Sequence, residues 1–322
     1  MAGRMPGSLL PPDDADAAFA ADVVAGLARH PKRIPSRYFY DARGSALFEA
    51  ICEQPEYYLT RTEFAILGQH ADDIARRAGP GAMVIEYGSG SGLKTRVLLA
   101  ALDDPVAYVP VEISPEALAA SVAALERTFP GIEYLPVCAD FTRHPRLPRP
   151  RRAVARRVVF FPGSTLGNFD QGEAAAVLAG LRADMGAGGM GVVGIDLIKD
   201  PAVIEAAYND AAGVTAAFTL NLLRRINREL GADFDLDRFR HRARYDALAQ
   251  RIETHIVSRA DQVVQVAGRP VRFARGEAML VEYSCKYSRE GFSRMAVAAG
   301  LRVADFFTDA GERFAVIVLE PA

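Results

Sequence analysis

Short apolar runs alternate with helically periodic segments through the middle of the chain. Residues 82–87 (AMVIEY), 107–113, 132–138, 157–161 (RVVFF) and 191–197 (GVVGIDL) read as buried strands. Between them, 94–102, a segment opened by Ser114-Pro115, and about 172–185 carry helical periodicity. Serine at an N-cap and proline at the first helical position are favoured at a helix start. This rhythm predicts an α/β fold built on a parallel, doubly wound sheet with right-handed crossovers.

The flanks differ. Residues 1–15 read as frayed, 16–29 as a helix, 35–62 as a stretch of aromatics and turn formers, and the following residues to about 78 as a helix that stops at Gly79-Pro80-Gly81. Beyond the sheet, 200–230 reads helical, whereas 238–288 alternates with period two around a hairpin turn at Ala267-Gly268-Arg269-Pro270. A helix over 291–299 and strands over 302–307 and 313–319 close the chain. The expected organisation is a sheet domain over 63–199 and 287–322, and an inserted α+β domain over 15–62 and 200–286.

Composition narrows the classes. The chain has 322 residues, half of them hydrophobic and 24% charged, with a net charge of −2. A chain of this size buries a full core, and no apolar run reaches the ~20 residues that span a bilayer. Residues 1–16 lack the apolar segment of an export signal. Cys52, Cys138 and Cys285 are odd in number and far apart, as suits thiols in a reducing compartment. The five histidines show no metal-ligand spacing, so no metal is expected. The arginines of 143–157 (RHPRLPRPRRAVARR) read as a surface connection, without the interleaved aromatics of a nucleic-acid site. The expectation is a cytoplasmic monomer that engages neither nucleic acid nor membrane. Only four of the 38 basic residues are lysine: Lys32, Lys94, Lys199 and Lys286.

The chemistry starts at Glu86-Tyr87-Gly88-Ser89-Gly90-Ser91-Gly92, a glycine-rich turn between strand and helix. A carboxylate at the mouth of that turn opposes a pyrophosphate and attracts a sulfonium, which favours S-adenosylmethionine over NAD. Glu112 ends the second strand where a ribose-binding acid lies in nucleoside-binding sheets, and Asp140-Phe141 follows the third with an amine acceptor and a ring. Three acids at successive strand ends point to one crevice.

Over nearly its whole length the chain resembles the L-histidine Nα-methyltransferases of ergothioneine biosynthesis. The resemblance is carried by RYFYDARGSALFEAICEQPEYYLTRTE, EYGSGSGLKTR, FFPGSTLGNF, AYNDAAGVTAAFTLNLLRRINRELGADFDLDRF and MLVEYSCKY. It implies a Rossmann-like class I methyltransferase with an inserted substrate domain, S-adenosylmethionine as cofactor, and L-histidine as small-molecule substrate, trimethylated at its α-amine to hercynine. Cofactor contacts carried over are Tyr40, Gly88, Lys94, Glu112, Asp140 and Phe141, beside Glu86 and Gly90 of the turn. Substrate contacts are Tyr57, Gly163, Asn168 and Tyr208 for the α-amino and carboxylate groups, and Glu282 and Ser284 for the imidazole. Tyr40 and Asn168 are the catalytic candidates, with Tyr40 and Phe48 offering π faces to the growing ammonium. Three positions depart from the family pattern: Glu112 where aspartate is usual, the Ser91-Gly92-Leu93 stretch, and Thr254 where a relative carries methionine near the imidazole. Another amino acid or small amine as substrate, or cofactor binding without turnover, remain the alternatives.

Overall fold

The computed structural model describes residues 12–90 and 92–322. The expectations for residues 1–11 and for Ser91 lie outside the described residues.

Helix α1 (Pro12–Ala28) is followed by α2 (Ala42–Cys52), α3 (Leu59–Ala78), strand β1 (Ala82–Tyr87), α4 (Leu93–Ala101), β2 (Ala107–Glu112) and α5 (Pro115–Thr128). Short strands β3 (Glu133–Tyr134) and β4 (Val137–Cys138) precede β5 (Arg156–Phe161), α6 (Gln171–Met185) and β6 (Met190–Asp196). Next come α7 (Pro201–Ala207), α8 (Val214–Leu230), β7 (Phe239–Asp246), β8 (Arg251–Ser258), β9 (Gln262–Val266), β10 (Arg269–Phe273) and β11 (Ala278–Cys285). Helix α9 (Arg289–Ala298), β12 (Leu301–Thr308) and β13 (Phe314–Pro321) complete the chain.

These elements divide into two compact units: Leu59–Ile198 with Lys286–Ala322, and residues 12–58 with Lys199–Cys285.

The first unit is built on one sheet of order β12-β13-β6-β5-β1-β2-β3, with β4 also paired to β2. Strands β1 to β6 run parallel, and β13 and β12 join antiparallel at one edge. Every residue of β1 and β6 is buried, as expected of central parallel strands covered on both faces. The core carries Ile85, Val109, Val159, Phe161, Val193 and Ile317. The α/β expectation is met, with one correction: the third strand is broken in two. Pro136 stands between β3 and β4 and cannot donate to a ladder. Ser114 caps α5 as expected, accepting from Ala117 N at 3.3 Å. Since β2 and β5 lie on opposite sides of β1, the chain reverses direction across the sheet there. That switch point is where sheets of this kind bind ligands, beyond their carboxyl ends.

The second unit joins helices to a three-stranded antiparallel sheet, order β11-β8-β7, and the hairpin β9–β10. The hairpin turn is Ala267-Gly268, with φ of 48° and 74°, the left-handed pair that a two-residue turn demands. Two expectations are corrected. The aromatic stretch after Pro35 contains α2, capped by Asp41. The helical reading of 200–230 splits into α7 and α8, since the Asp210 carboxylate accepts from Val214 N (2.7 Å) and Thr215 N (2.8 Å) and starts a new helix there. Among the described residues no helix is long and apolar enough to cross a membrane.

Candidate functional site

In the first unit the glycine turn leaves β1 with φ of 76° at Gly88 and 46° at Gly90, values that side chains resist. A Cβ at either glycine would meet nothing within 4 Å, so bare backbone borders open space. Gly88 N donates to Val111 O at 2.9 Å and fixes the turn to β2. Glu112, half-buried at the end of β2, accepts from Ile113 N (2.9 Å) and Ser114 N (3.1 Å). Asp140 accepts from Thr142 N (2.9 Å) and its hydroxyl (2.6 Å). Phe141 stacks on Tyr87 at 5.0 Å and meets Phe161 edge-on at 5.3 Å. The unit thus places Gly88, Gly90, Glu112, Asp140 and Phe141 at or just after the carboxyl ends of adjacent strands.

Glu86 is different from the sequence reading. It does not stand at the mouth of the turn but is 1% exposed, accepting from Tyr108 OH and from Thr95 Oγ1 at 2.7 Å. Burial, only partly offset by those hydrogen bonds and by Lys94, pushes its carboxyl up to about 8. A carboxyl that is mostly neutral at pH 7 cannot attract a sulfonium by charge; it braces β1 against β2 and α4. Its folded value lies above the ordinary 4.5, so its contribution to the fold is complete below about pH 4.5 and is lost as pH rises through about 8. Thermal melting is accordingly expected to fall between about pH 4.5 and about pH 8. The Glu86→Gln variant should show a flatter profile by scanning fluorimetry.

Lys94, on α4, reaches Glu63 of α3. Both Glu63 carboxylate oxygens also accept from Gly163 N at 2.9 Å. Gly163, with φ of 84°, opens the loop after β5 that ends at half-buried Asn168. Sequence reasoning missed Glu63, although its signal was present: it falls on the buried stripe of α3 with Leu59, Ile66 and Leu67.

In the second unit Tyr208 and Ser284 share a hydrogen bond at 2.6 Å, and Thr254 donates to Glu282 at 3.1 Å. Glu282 and Thr254 are register partners on β11 and β8. The departure at Thr254 is therefore a fully buried hydroxyl that holds the Glu282 carboxylate. An aromatic row runs from Tyr208 through Tyr57 and Phe48 to Tyr40, with centroids 6.3, 6.2 and 5.7 Å apart. Burial, with Tyr208, Cys52, Tyr40 and Glu282 adding to it, holds the Tyr57 phenol well above its ordinary value, so it stays protonated.

Two supports were not read from sequence. Burial lowers the pKa of His241, and its Nε2 donates to Tyr208 O at 2.9 Å while Nδ1 meets the Thr219 hydroxyl at 3.0 Å. Asp41 accepts from Gly44 N (2.7 Å), Asn221 Nδ2 (2.8 Å) and Arg228 (2.6 Å), which fixes the backbone beside Tyr40. Among the described residues no group of three or more His, Cys, Asp or Glu could hold a metal ion.

The profile of a family described as histidine-specific, SAM-dependent methyltransferase matches residues 19–321. The histidine N-alpha-methyltransferase of Mycolicibacterium smegmatis is 43% identical over 303 residues, 92% of this chain and 93% of that protein. Its namesake from Mycobacterium tuberculosis is 40% identical over 298 residues, 91% of each chain. Ergothioneine biosynthesis protein 1 of Neurospora crassa is 31% identical over 289 residues, 88% of this chain and 32% of that protein.

Proposed function

Because the chain belongs to the family of histidine-specific, S-adenosylmethionine-dependent methyltransferases, we propose that it trimethylates the α-amine of L-histidine to hercynine in ergothioneine synthesis. The observation that carries this reading is the match over residues 19–321, which includes every candidate site residue. The first unit has the Rossmann-like sheet of a class I methyltransferase.

Bound S-adenosylmethionine supplies an electrophilic methyl on a sulfonium sulfur. The open backbone at Gly88 and Gly90 suits its close approach. Glu112 and Asp140 offer carboxylates to hydroxyl and amine donors, Phe141 a ring edge beside them, and Lys94 a cation for a carboxylate. The work left to the protein is positioning and charge complementarity.

Asn168 has a side chain that donates to a carboxylate and accepts from an amine at once. In the second unit, which we assign to substrate binding, the Tyr57 and Tyr208 hydroxyls address the amino-acid head. Glu282 and Ser284, two apart on β11, address the two imidazole nitrogens. Thr254 and Tyr208 hold those two groups in place, so the recognising oxygens are ordered before substrate arrives. Tyr40 and Phe48 present ring faces to an amine that gains permanent positive charge.

The stoichiometry tests this reading. Limiting histidine with excess S-adenosylmethionine should release three S-adenosylhomocysteine per histidine. A panel of other amino acids should give slower turnover, and faster turnover of any of them would displace histidine as the substrate.

A further inference from the structure

Resting on that reading, we propose that Glu63 is a positioning residue that sets the Lys94 ammonium and the Gly163 turn together, so that cofactor grip and the Asn168 loop are fixed by one buried carboxylate.

The chemistry of its partners requires a carboxylate. Glu63 is 1% exposed, and each of its neighbours is a donor: the Lys94 ammonium and the Gly163 backbone N–H. An amide at this position offers one acceptor oxygen and turns an NH₂ towards a donor, so at least one partner is lost. A buried ion pair with further hydrogen bonds is costly to break, because the remaining charge stays desolvated.

The fold makes room for this group. A Cβ at residue 194 would collide with Glu63 Oε1 and lie 2.9 Å from its Cδ. Gly194 is in the middle of the fully buried strand β6, where a side chain would otherwise pack. The strand is bare at that point, and the carboxylate occupies the space. Three segments therefore meet at Glu63: α4 through Lys94, the loop after β5 through Gly163, and β6 through Gly194. Each of the first two carries a residue assigned to ligand binding, while Glu63 itself is assigned to none.

The two partners differ in freedom, and this separates their roles. The Lys94 ammonium rides on a flexible four-carbon stem and can follow a displaced carboxylate. The Gly163 N–H is part of the backbone and cannot. Glu63→Asp keeps the charge but withdraws the carboxylate by one methylene. It should hold S-adenosylhomocysteine affinity within about threefold, yet lower kcat at saturating substrates by about tenfold or more, since small misplacements near the reacting groups are costly. Glu63→Gln should weaken S-adenosylhomocysteine binding by at least about tenfold, as Lys94 loses its charged anchor.

The experiment is calorimetric titration of S-adenosylhomocysteine into the full-length protein and both variants, with steady-state histidine methylation and melting temperatures alongside. A carboxylate that only stabilises the fold would lower both melting temperatures and leave the dissociation constant, kcat and KM of the folded fraction at wild-type values; that result overturns the proposal. If Glu63→Gln does not fold, Glu63→Asp decides, and an unchanged kcat overturns it. Lost affinity in Glu63→Gln supports the assignment even if wild-type protein left histidine unmethylated, an outcome that would instead overturn the proposed substrate.

Discussion

Replacing Glu282 with alanine is expected to lower kcat/KM for histidine by about 10²-fold, while S-adenosylhomocysteine affinity stays within about twofold. A hydrogen bond to a charged group contributes ~1.5–3 kcal/mol, and its loss from a site built to receive it appears in substrate discrimination. The group is held on two strands at once, by its place on β11 and by the Thr254 hydroxyl of β8 at 3.1 Å. Alanine removes the acceptor for the imidazole and leaves the buried Thr254 hydroxyl facing a space without one. Glu282→Gln keeps an oxygen for Thr254 and should fall between the two. The cofactor contacts proposed for the first unit do not involve this residue, so affinity for S-adenosylhomocysteine serves as the internal control. Steady-state kinetics with histidine varied at saturating S-adenosylmethionine reads the effect. An unchanged histidine KM would show that the imidazole is recognised elsewhere.

Lys286→Met is expected to cost about 3–5 kcal/mol of stability, a drop of roughly ten degrees in melting temperature. Lys286 Nζ lies 2.9 Å from Asp196, and neither side chain has any exposure. Methionine fills much of the same volume but leaves a buried carboxylate without its cation. The damage should spread along the backbone there. Asp196 O accepts from Tyr287 N at 3.0 Å, and Asp196 N donates to Ser164 Oγ at 2.9 Å. The double variant Asp196→Ala/Lys286→Met removes both charges and should recover part of the loss. If the double variant melts no higher than the single one, the ion pair is not the cause.

Each of the chain's four lysines has a partner. The other lysines follow the same habit: Lys32 pairs with Glu277, Lys94 with Glu63, and Lys199 donates to Tyr58 OH at 2.7 Å while lying over its ring. In a chain that writes nearly every cation as arginine, lysine stands where a compact ammonium packs against a partner. Arginines of the 143–157 segment bind groups on other elements, such as Arg152 with Asp104 and Arg157 with Asp184 O at 3.2 Å. That segment reads as a tethered surface connection.

The sheet was legible because buried parallel strands are written as continuous apolar runs, and β1 and β6 are of that kind. The Ser114-Pro115 start and the Ala267-Gly268 hairpin were legible because caps and turns are set by a few adjacent residues. Helix α2 was hidden by the aromatics and by Gly44, which is there because a Cβ would strike the Phe39 carbonyl. Glu86 was visible as an acid beside a glycine turn, but its burial depends on Tyr108 and Thr95, which tertiary packing brings to it. Glu63 was likewise visible as an acid on the apolar stripe of α3, but its role was hidden, since its partners lie 31 and 100 residues away. The resemblance supplied Tyr57, Tyr208, Glu282 and Ser284; their hydrogen bonds and ring contacts came from the fold.

Mass spectrometry of the histidine product tests the reaction most directly. Full-length protein incubated with S-adenosylmethionine and L-histidine should convert histidine to a product with three added methyl groups, all retained on the α-amino fragment with an unmodified imidazole. Folded protein that binds S-adenosylhomocysteine yet leaves histidine without any added methyl, or places the methyl on the ring, would contradict the account.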